Sequence, residues 1–229
     1  MIVNYPAKYR DSLGEEITTI QNDGKLLRME IREVAFVGED FDSLEPTTFD
    51  EEQKELFDFV SVFIATHVTG NIPDAGREAY MLSNYQLECE IPLVVVVGNE
   101  EREAQLYVQL DLRNQDVRGD TPLLLRLSYD TKSVTSSGRH SFFDSELSDI
   151  QRSLPTDVFI KTCISCRYAD FGPYQGTFGA LGCYRNNKEE YLQMKASWTP
   201  EKKWDLLKTI TESVQETYLC SEFQPIKRG

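Results

Sequence analysis

Alternating apolar and polar residues near the amino terminus predict an antiparallel β-hairpin. In the segment 26–36, Leu27, Met29 and Ile31 fall on one face and charged residues fall on the other. The segment 16–21 precedes it, and the sequence Asn-Asp-Gly-Lys between the two supplies the positive-φ residues of a tight turn. The alternation then slips by one position, which indicates a β-bulge near residue 33.

A second pair of strands is predicted in the middle of the chain. The segments 87–97 and 104–112 carry apolar residues at strand spacing and flank a Gly-Asn-Glu-Glu turn at 98–101. The segment 123–129 has the same character and continues the series. Because successive short connections join neighbouring antiparallel strands, these segments predict a β-meander.

Three segments are predicted to be helical. Residues 50–66 follow a capping box at 48–51 and place apolar side chains at helical spacing. Residues 144–154 form a second, short candidate. The third helix is predicted to start at Pro200, a residue favoured in the first helical turn, and to end just before Cys220.

These elements predict an α+β fold, with a mostly antiparallel β-meander, about three helices and a C-terminal four-cysteine subdomain. Short strands at 158–161 and 178–184 are expected to carry cysteines into that subdomain. The expected division is a β-rich N-terminal part with one helix at 1–140 and a cysteine-containing part at 141–229. The two parts are expected to pack as one compact unit.

Four of the five cysteines lie in the last third of the chain, namely Cys163, Cys166, Cys183 and Cys220. They form the pattern C-x2-C-x16-C-x36-C, in which the first pair has the spacing of a zinc knuckle. Four thiolates fill a tetrahedral shell, so such a zinc ion would be structural rather than catalytic. The alternative is that these residues are ordinary buried thiols, and Cys89 is left over in either case.

Other known chemistries of a C-x2-C pair fit this sequence less well. A thioredoxin-like site needs a helix after the second cysteine, whereas two glycines and a proline follow Cys166 within ten residues. A zinc deaminase needs a His-x-Glu motif, which neither His67 nor His140 provides. At most, His140 could replace one cysteine as a metal ligand.

An enzyme is kept as the alternative function. Its site would lie in the loop 168–179, which is rich in glycine, proline and aromatic residues. Asp170, Tyr174 and Arg185 would be the polar groups that converge on a substrate there. The sequence has neither a Gly-x-Ser-x-Gly turn nor a phosphate-binding Gly-x4-Gly-Lys motif, so no catalytic residue is assigned.

The charge and composition of the chain exclude several classes of function. The chain has 229 residues and a net charge of -14, and it has no cluster of Lys and Arg that could follow a phosphate backbone. No apolar run approaches the roughly 20 residues of a membrane span, and the amino-terminal sequence does not resemble a signal peptide. We therefore expect a cytoplasmic protein that binds neither nucleic acid nor membrane, with its thiols reduced.

An acidic segment that also carries an aromatic residue is the candidate surface for a partner. Glu39, Asp40, Phe41 and Asp42 lie in a run that ends at residue 45. Most charge runs are simply solvated. The functional alternative is a patch that docks on a basic protein surface, where opposite charges steer association.

Three motifs in the C-terminal part resemble a family of uncharacterised bacterial proteins. They are Cys-Ile-Ser-Cys at 163–166, Phe-Gly-Ala-Leu-Gly-Cys-Tyr-Arg at 178–185 with Asn-Lys after it at 187–188, and Glu-Thr-Tyr-Leu-Cys-Ser-Glu-Phe at 216–223. Members of that family look like cytosolic proteins of toxin and immunity neighbourhoods, so the resemblance implies an inhibitor role. The favoured hypothesis is an immunity protein that binds and occludes a toxin with a basic surface, stabilised by structural zinc.

Overall fold

The computed structural model describes residues 2–69, 72–113, 123–171, 178–179, 181–196, 199, 209–210 and 212–226. Over this part of the chain the fold is mostly antiparallel β-sheet, 51% strand and 15% helical. The strands are β1 (Val3–Asp11), β2 (Gly14–Asn22), β3 (Leu27–Ile31), β4 (Val34–Gly38), β5 (Glu45–Pro46), β6 (Phe59–Thr69), β7 (Ile72–Leu82), β8 (Gln86–Val97), β9 (Glu100–Asp111), β10 (Leu123–Tyr129), β11 (Lys132–Thr135), β12 (Val158–Ile160), β13 (Ala169–Phe171), β14 (Leu181–Cys183) and β15 (Glu212–Val214). The helices are α1 (Glu51–Leu56), α2 (Phe143–Ser153) and α3 (Lys188–Ala196). No helix within these residues is long and apolar enough to cross a membrane.

Ten strands form the main antiparallel sheet. Nine of them lie side by side in the order β11, β10, β9, β8, β1, β2, β3, β4 and β5, and β12 pairs with β8. Strand β9 runs along the whole of β8, while on the other edge β1 pairs with residues 86–89 and β12 with residues 95–97. Strands β13, β14 and β15 form a three-stranded sheet, and β6 pairs with β7.

The alternating apolar residues recognised in the sequence form part of the main core. Leu27, Met29 and Ile31 of β3 are buried and the residues between them are exposed. The same pattern is present in β10, which occupies the predicted residues 123–129. One face of the sheet is therefore apolar, and α2 packs against β10 and β11. The predicted hairpin around 98–101 is also confirmed, with a two-residue turn between β8 and β9.

The predicted α+β class with a C-terminal four-cysteine subdomain is wrong. The chain is mostly antiparallel β-sheet, and the elements that carry the cysteines are not a separate unit. The amide of Asn22 donates to Gln215 Oε1 at 2.6 Å, and the backbone N–H of Phe178 donates to Asp40 Oδ2 at 2.6 Å. These bonds tie the C-terminal part to the main sheet. None of the cysteines forms a disulfide.

The predicted helix over 50–66 is too long. Helix α1 ends at Leu56, and β6 begins at Phe59. The residues after α1 are rich in aromatic and β-branched side chains, which favour strands, and they pair with β7. Asp50 caps the short helix, since its carboxylate accepts a hydrogen bond from Gln53 N at 3.0 Å.

The other two helix predictions have different outcomes. The helix predicted at 144–154 is confirmed as α2. Half of the helix predicted between Pro200 and Cys220, including residues 200–208, lies outside the described residues. For the C-terminal half of this helix the prediction is wrong, because residues 212–214 form the strand β15. Helix α3 was not predicted, and Tyr191 is its buried residue.

A tight turn at Arg32 and Glu33 separates β3 from β4, where the sequence predicted one bulged strand. Both residues have positive φ, 49° and 66°, a backbone conformation that is unfavourable for residues other than glycine. The Arg32 guanidinium donates to both carboxylate oxygens of Asp11, at 2.6 and 2.7 Å, and to the Leu56 carbonyl at 3.1 Å. The Arg32 backbone N–H donates to the Glu16 carboxylate at 3.2 Å. These contacts hold the turn against the β1–β2 hairpin and the end of α1.

We expect Arg32→Ala to lower the free energy of unfolding by about 3 kcal/mol, because it leaves a buried carboxylate without its cation. The side chain of Asp11 is 7% exposed. Urea denaturation followed by circular dichroism measures the loss. The control is Arg28→Ala, whose partner Asp23 is 33% exposed, and its loss should stay below about 1 kcal/mol. Equal losses in the two variants would contradict the importance of the buried pair.

Candidate metal centre and acidic cleft

The four cysteines predicted as metal ligands lie in one cluster of buried side chains, distinct from the main core. Cys163 opens a short 3-10 turn that precedes Cys166, Cys183 ends β14, and Cys220 lies in the C-terminal segment. Their exposed fractions are 3% to 8%. The C-terminal segment reaches the turn because Cys166 forms a β-bridge with Pro225. Three separate segments of chain thus deliver the four thiols to one region.

Backbone N–H groups point at two of these sulfurs. The N–H of Glu222 donates to Cys220 Sγ at 3.4 Å. The N–H of Arg185 likewise donates to Cys183. In both cases the donor lies two positions after the cysteine. Such bonds favour a thiolate, because they place positive partial charge beside the sulfur.

The sulfurs also influence one another electrostatically. Burial raises the pKa of Cys163, and the neighbouring thiols of Cys183, Cys166 and Cys220 raise it further in that order. Burial also raises the pKa of Cys183, although the Arg185 N–H and guanidinium oppose this effect. Thiolates that repel one another in a buried region are stabilised by a bound cation, which reverses the sign of the local field.

The spacing of the sulfurs is wider than a bound zinc ion requires. Among the described residues, one group of three His, Cys, Asp or Glu side chains has all its ligand atoms within 4.8 Å of one another, and it contains no cysteine. Sulfurs at about 2.3 Å from a tetrahedral zinc ion lie about 3.8 Å apart. No three cysteine sulfurs of the described residues therefore lie as close together as a tetrahedral zinc site requires, and binding would require them to move closer.

The compact group is His140, Glu146 and Asp149. Its carboxylates already have protein donors. Glu146 accepts hydrogen bonds from the backbone N–H groups of Gly138, at 2.8 Å, and His140, at 2.7 Å, and Asp149 accepts one from the Ser137 hydroxyl at 2.5 Å. The group fixes the segment before α2, and His140 is not brought to the cysteines as a substitute ligand.

The residues proposed for an enzyme site have separate partners. Asp170 accepts hydrogen bonds from the Tyr191 hydroxyl and from Lys195 Nζ, both at 3.1 Å. Arg185 forms an ion pair with Glu212. Tyr174 lies outside the described residues, as does the rest of the segment 172–177 of that loop. Asp170 and Arg185 are thus used in different ion pairs.

The predicted partner-binding residues lie beside a cleft of about 1220 Å³. Glu39 and Asp42 are exposed, and Asp40 is half-buried. These three line the cleft, and Glu45, Glu212, Lys25 and Arg77 add two carboxylates and two cations to its walls. Phe41 is 3% exposed and packs on Phe143 and Phe178, with ring centroids 5.9 and 4.9 Å away. Its ring therefore belongs to the core and not to the surface.

Two carboxyl groups next to this cleft, that of the half-buried Asp40 and that of the fully buried Glu216, accept hydrogen bonds from consecutive backbone amides. Asp40 Oδ2 accepts from Phe178 N at 2.6 Å, and Glu216 Oε2 accepts from Gly179 N at 2.8 Å. Glu216 is 0% exposed, and its Oε1 has no hydrogen-bond partner within the described part of the chain. The role of Glu216 was not predicted from the sequence, since its partner Gly179 lies 37 positions earlier and no local pattern links the two.

Burial raises the pKa of both carboxyl groups into the neutral range. The pKa of Asp40 is raised to about 7, and the charge of Asp42 adds to the effect of burial. The pKa of Glu216 is raised to about 8, with smaller contributions from Asp40 and Asp144. Hydrogen bonds from the backbone amides act in the opposite direction, because they favour the ionised form.

The chain belongs to a family described as "Family of unknown function (DUF6304)", whose model matches residues 3–169. The prediction of an uncharacterised family is therefore confirmed. The family model covers only the beginning of the C-terminal part on which the resemblance was based. It includes Cys163 and Cys166 and stops before Cys183 and Cys220. Comparisons with curated proteins and with solved structures found no match.

We expect the two buried carboxyls to make the protein less stable as the pH rises from about 5 to about 8. Their folded-state pKa values exceed those of the unfolded chain, so the folded state binds more protons in this window. The protonated carboxyls stabilise the folded state, and this contribution is lost as the pH rises through about 7 for Asp40 and about 8 for Glu216. Glu216→Gln stays neutral and should raise the free energy of unfolding at about pH 8 by roughly 1 kcal/mol or more, with a smaller change at about pH 5.

Urea denaturation at both pH values measures this difference. The control is Glu30→Gln, since Glu30 is exposed on β3. The control should change stability by the same small amount at both pH values. If Glu216→Gln behaves like the control, the Glu216 carboxyl does not titrate as described.

Proposed function

We propose that the chain is a cytoplasmic binding protein of the immunity type, which neutralises a toxin by binding and occluding it. The observation that carries the proposal is that Glu39, Asp40 and Asp42 line one cleft. Two further carboxylates lie on its walls. Among the described residues that line the cleft, the cations are Lys25 and Arg77. An acidic concave surface is complementary to the basic surface of a protein partner.

Occlusion suits this chemistry because it requires shape and charge but no reactive group. The Arg77 guanidinium already donates to both carboxylate oxygens of Glu45, at 2.6 Å each, so this cation is neutralised locally. Glu39 and Asp42, which are exposed, act together with the net charge of -14. Such a field accelerates association with a basic partner and weakens as salt screens it.

Structural zinc is the second element of the proposal. Cys163, Cys166, Cys183 and Cys220 would bind one ion and join the 3-10 turn, β14 and the C-terminal segment. Support comes from the burial of all four thiols in one cluster and from the N–H donors to two of them. The ion would stabilise the segment that carries Gln215 and Glu216, and so the wall of the cleft.

We expect Glu39→Lys combined with Asp42→Lys to slow association with the partner, because both side chains are exposed at the cleft. The tagged protein is used to capture a partner from its source bacterium, and association is measured between about 50 and about 500 mM salt. The partner should be basic, should be toxic when expressed alone, and should be neutralised by the wild-type chain. Wild-type association should slow as salt rises.

The matched control is Glu30→Lys combined with Glu100→Lys, which makes the same charge change on exposed residues away from the cleft. It should associate nearly as fast as the wild type. A captured protein without toxicity contradicts the immunity function. Equal slowing by both double variants contradicts the cleft as the contact surface.

We expect the purified protein to hold about one equivalent of zinc. Cys183→Ser should abolish this binding and lower the melting temperature, because three thiolates retain the ion poorly. Cys89→Ser is the control, since Cys89 is 2% exposed in the main core. Elemental analysis and thermal melting with and without a chelator measure both effects.

Destabilisation by the chelator should be seen in the wild type and in Cys89→Ser and should be absent in Cys183→Ser. Protein that is expressed with added zinc, contains no metal and melts identically with the chelator would show that the cysteines are ordinary buried thiols.

A further inference from the structure

A second cavity, of about 1020 Å³, opens where strands β1 and β8 separate. The ladder between these strands joins residues 7–10 to residues 86–89. Beyond it, Val3 and Tyr5 of β1 line the cavity together with Leu93 of β8. The cavity therefore occupies a split between neighbouring strands of the main sheet.

Two facing parts of the cavity wall are apolar, and charged residues line the rest. Leu93, Ala104 and Tyr129 are register partners across β8, β9 and β10, so they lie side by side on the core face of the sheet. The opposite wall includes Tyr218 and Leu219 of the C-terminal segment, which are 36% and 46% exposed. Large apolar side chains exposed beside a concave apolar surface are typical of binding sites.

A buried polar network on the lining of the cavity has one open donor. The amide of Asn22 donates to the Tyr5 hydroxyl and to Gln215 Oε1, both at 2.6 Å. Gln215 is 2% exposed, and its Nε2 has no acceptor among the residues that the structure describes. Buried donors are almost always satisfied in folded proteins, and Gln215 lines this cavity, so an acceptor on a bound molecule would satisfy the amide.

The charges around the cavity select against anions. The carboxylates that line it outnumber the cations four to one, and these residues are Asp23, Glu103, Asp130, Glu212 and Lys25. An anionic ligand would meet a repulsive field on entry. The apolar walls in turn disfavour a ligand that is polar throughout.

We propose that this cavity binds an uncharged, largely apolar small molecule that carries a carbonyl-type acceptor. Its apolar body lies between the core face of the sheet and the C-terminal segment, and its acceptor receives the hydrogen bond from Gln215 Nε2. The cavity volume is that of sites for drug-sized ligands. The cavity borders the acidic cleft and shares Gln215 with it, and its small-molecule ligand is distinct from the protein partner proposed for the cleft.

The probe for the test is prodan, an uncharged naphthyl ketone dye whose emission reports both polarity and hydrogen bonding at its carbonyl. Titration of the full chain should give saturable fluorescence with one dye bound per chain. The anionic dye anilinonaphthalene sulfonate has a similar aromatic body and should bind at least about tenfold more weakly. Unsaturable binding of prodan, or equal binding of the two dyes, would overturn the proposal.

Gln215→Leu tests the hydrogen bond because it keeps the side-chain volume and removes the donor. We expect prodan to bind about tenfold more weakly to this variant, with its emission shifted to shorter wavelength as the carbonyl loses its bond. Unchanged affinity and emission in a folded variant would contradict the contact with Gln215.

Leu219→Ala tests the position of the site without disturbing the buried network. It should weaken prodan binding several-fold, whereas the control Leu13→Ala, which truncates a 62% exposed leucine between β1 and β2, should leave it unchanged. This pair keeps the test decisive if Gln215→Leu does not fold. Equal effects of the two leucine variants would mean that the dye binds to exposed apolar residues in general, and the proposed site would be wrong.

Discussion

Hydrogen bonding on both edges of strand β8 is the constraint on which the rest of the structure depends. Backbone groups buried in a sheet must be paired, and β8 satisfies this requirement with β9 on one edge and with β1 and β12 on the other. Because β1 and β12 lie on the same edge of β8, β8 is hydrogen-bonded both to a strand near the amino terminus and to a strand that follows α2. On this edge, β1 pairs with β8 at residues 86–89 and β12 pairs with it at residues 95–97, so β1 and β8 separate between these two ladders. This separation is the split in the sheet.

Buried polar side chains form the seam between the main sheet and the C-terminal segment. Asn22 bonds to Gln215, and Asp40 and Glu216 hold the amides of Phe178 and Gly179. Such contacts fix orientation more narrowly than apolar packing does, because a buried polar group needs its partner at one distance and angle. The acidic cleft and the second cavity share Gly24, Lys25, Glu212 and Gln215 in their linings, so both lie along this seam.

The parts of the fold that the sequence predicted are those set by local pattern. The strand at 123–129 and helix α2 were predicted because each alternates or repeats over neighbouring residues. The segment after α1 was misread, since its aromatic and β-branched residues satisfy helical and strand spacing alike. Helix α3 buries only Tyr191 among its own residues, which leaves no apolar stripe to detect. The charge of the segment 39–45 indicated an acidic surface. No local pattern could show that Phe41 is buried or that Glu216 contacts Gly179.

The polar seam also determines the order in which the molecule can form. Asn22 and Gln215 are 193 positions apart, and Asp40 and Phe178 are 138 positions apart. Contacts over such separations form slowly, because a long loop must close before they contribute stability. During synthesis the strands of the main sheet emerge first, while Asn22 and Asp40 have no bond to the C-terminal segment. A ribosome must therefore pass Gln215, which lines both the cleft and the cavity, before either surface exists.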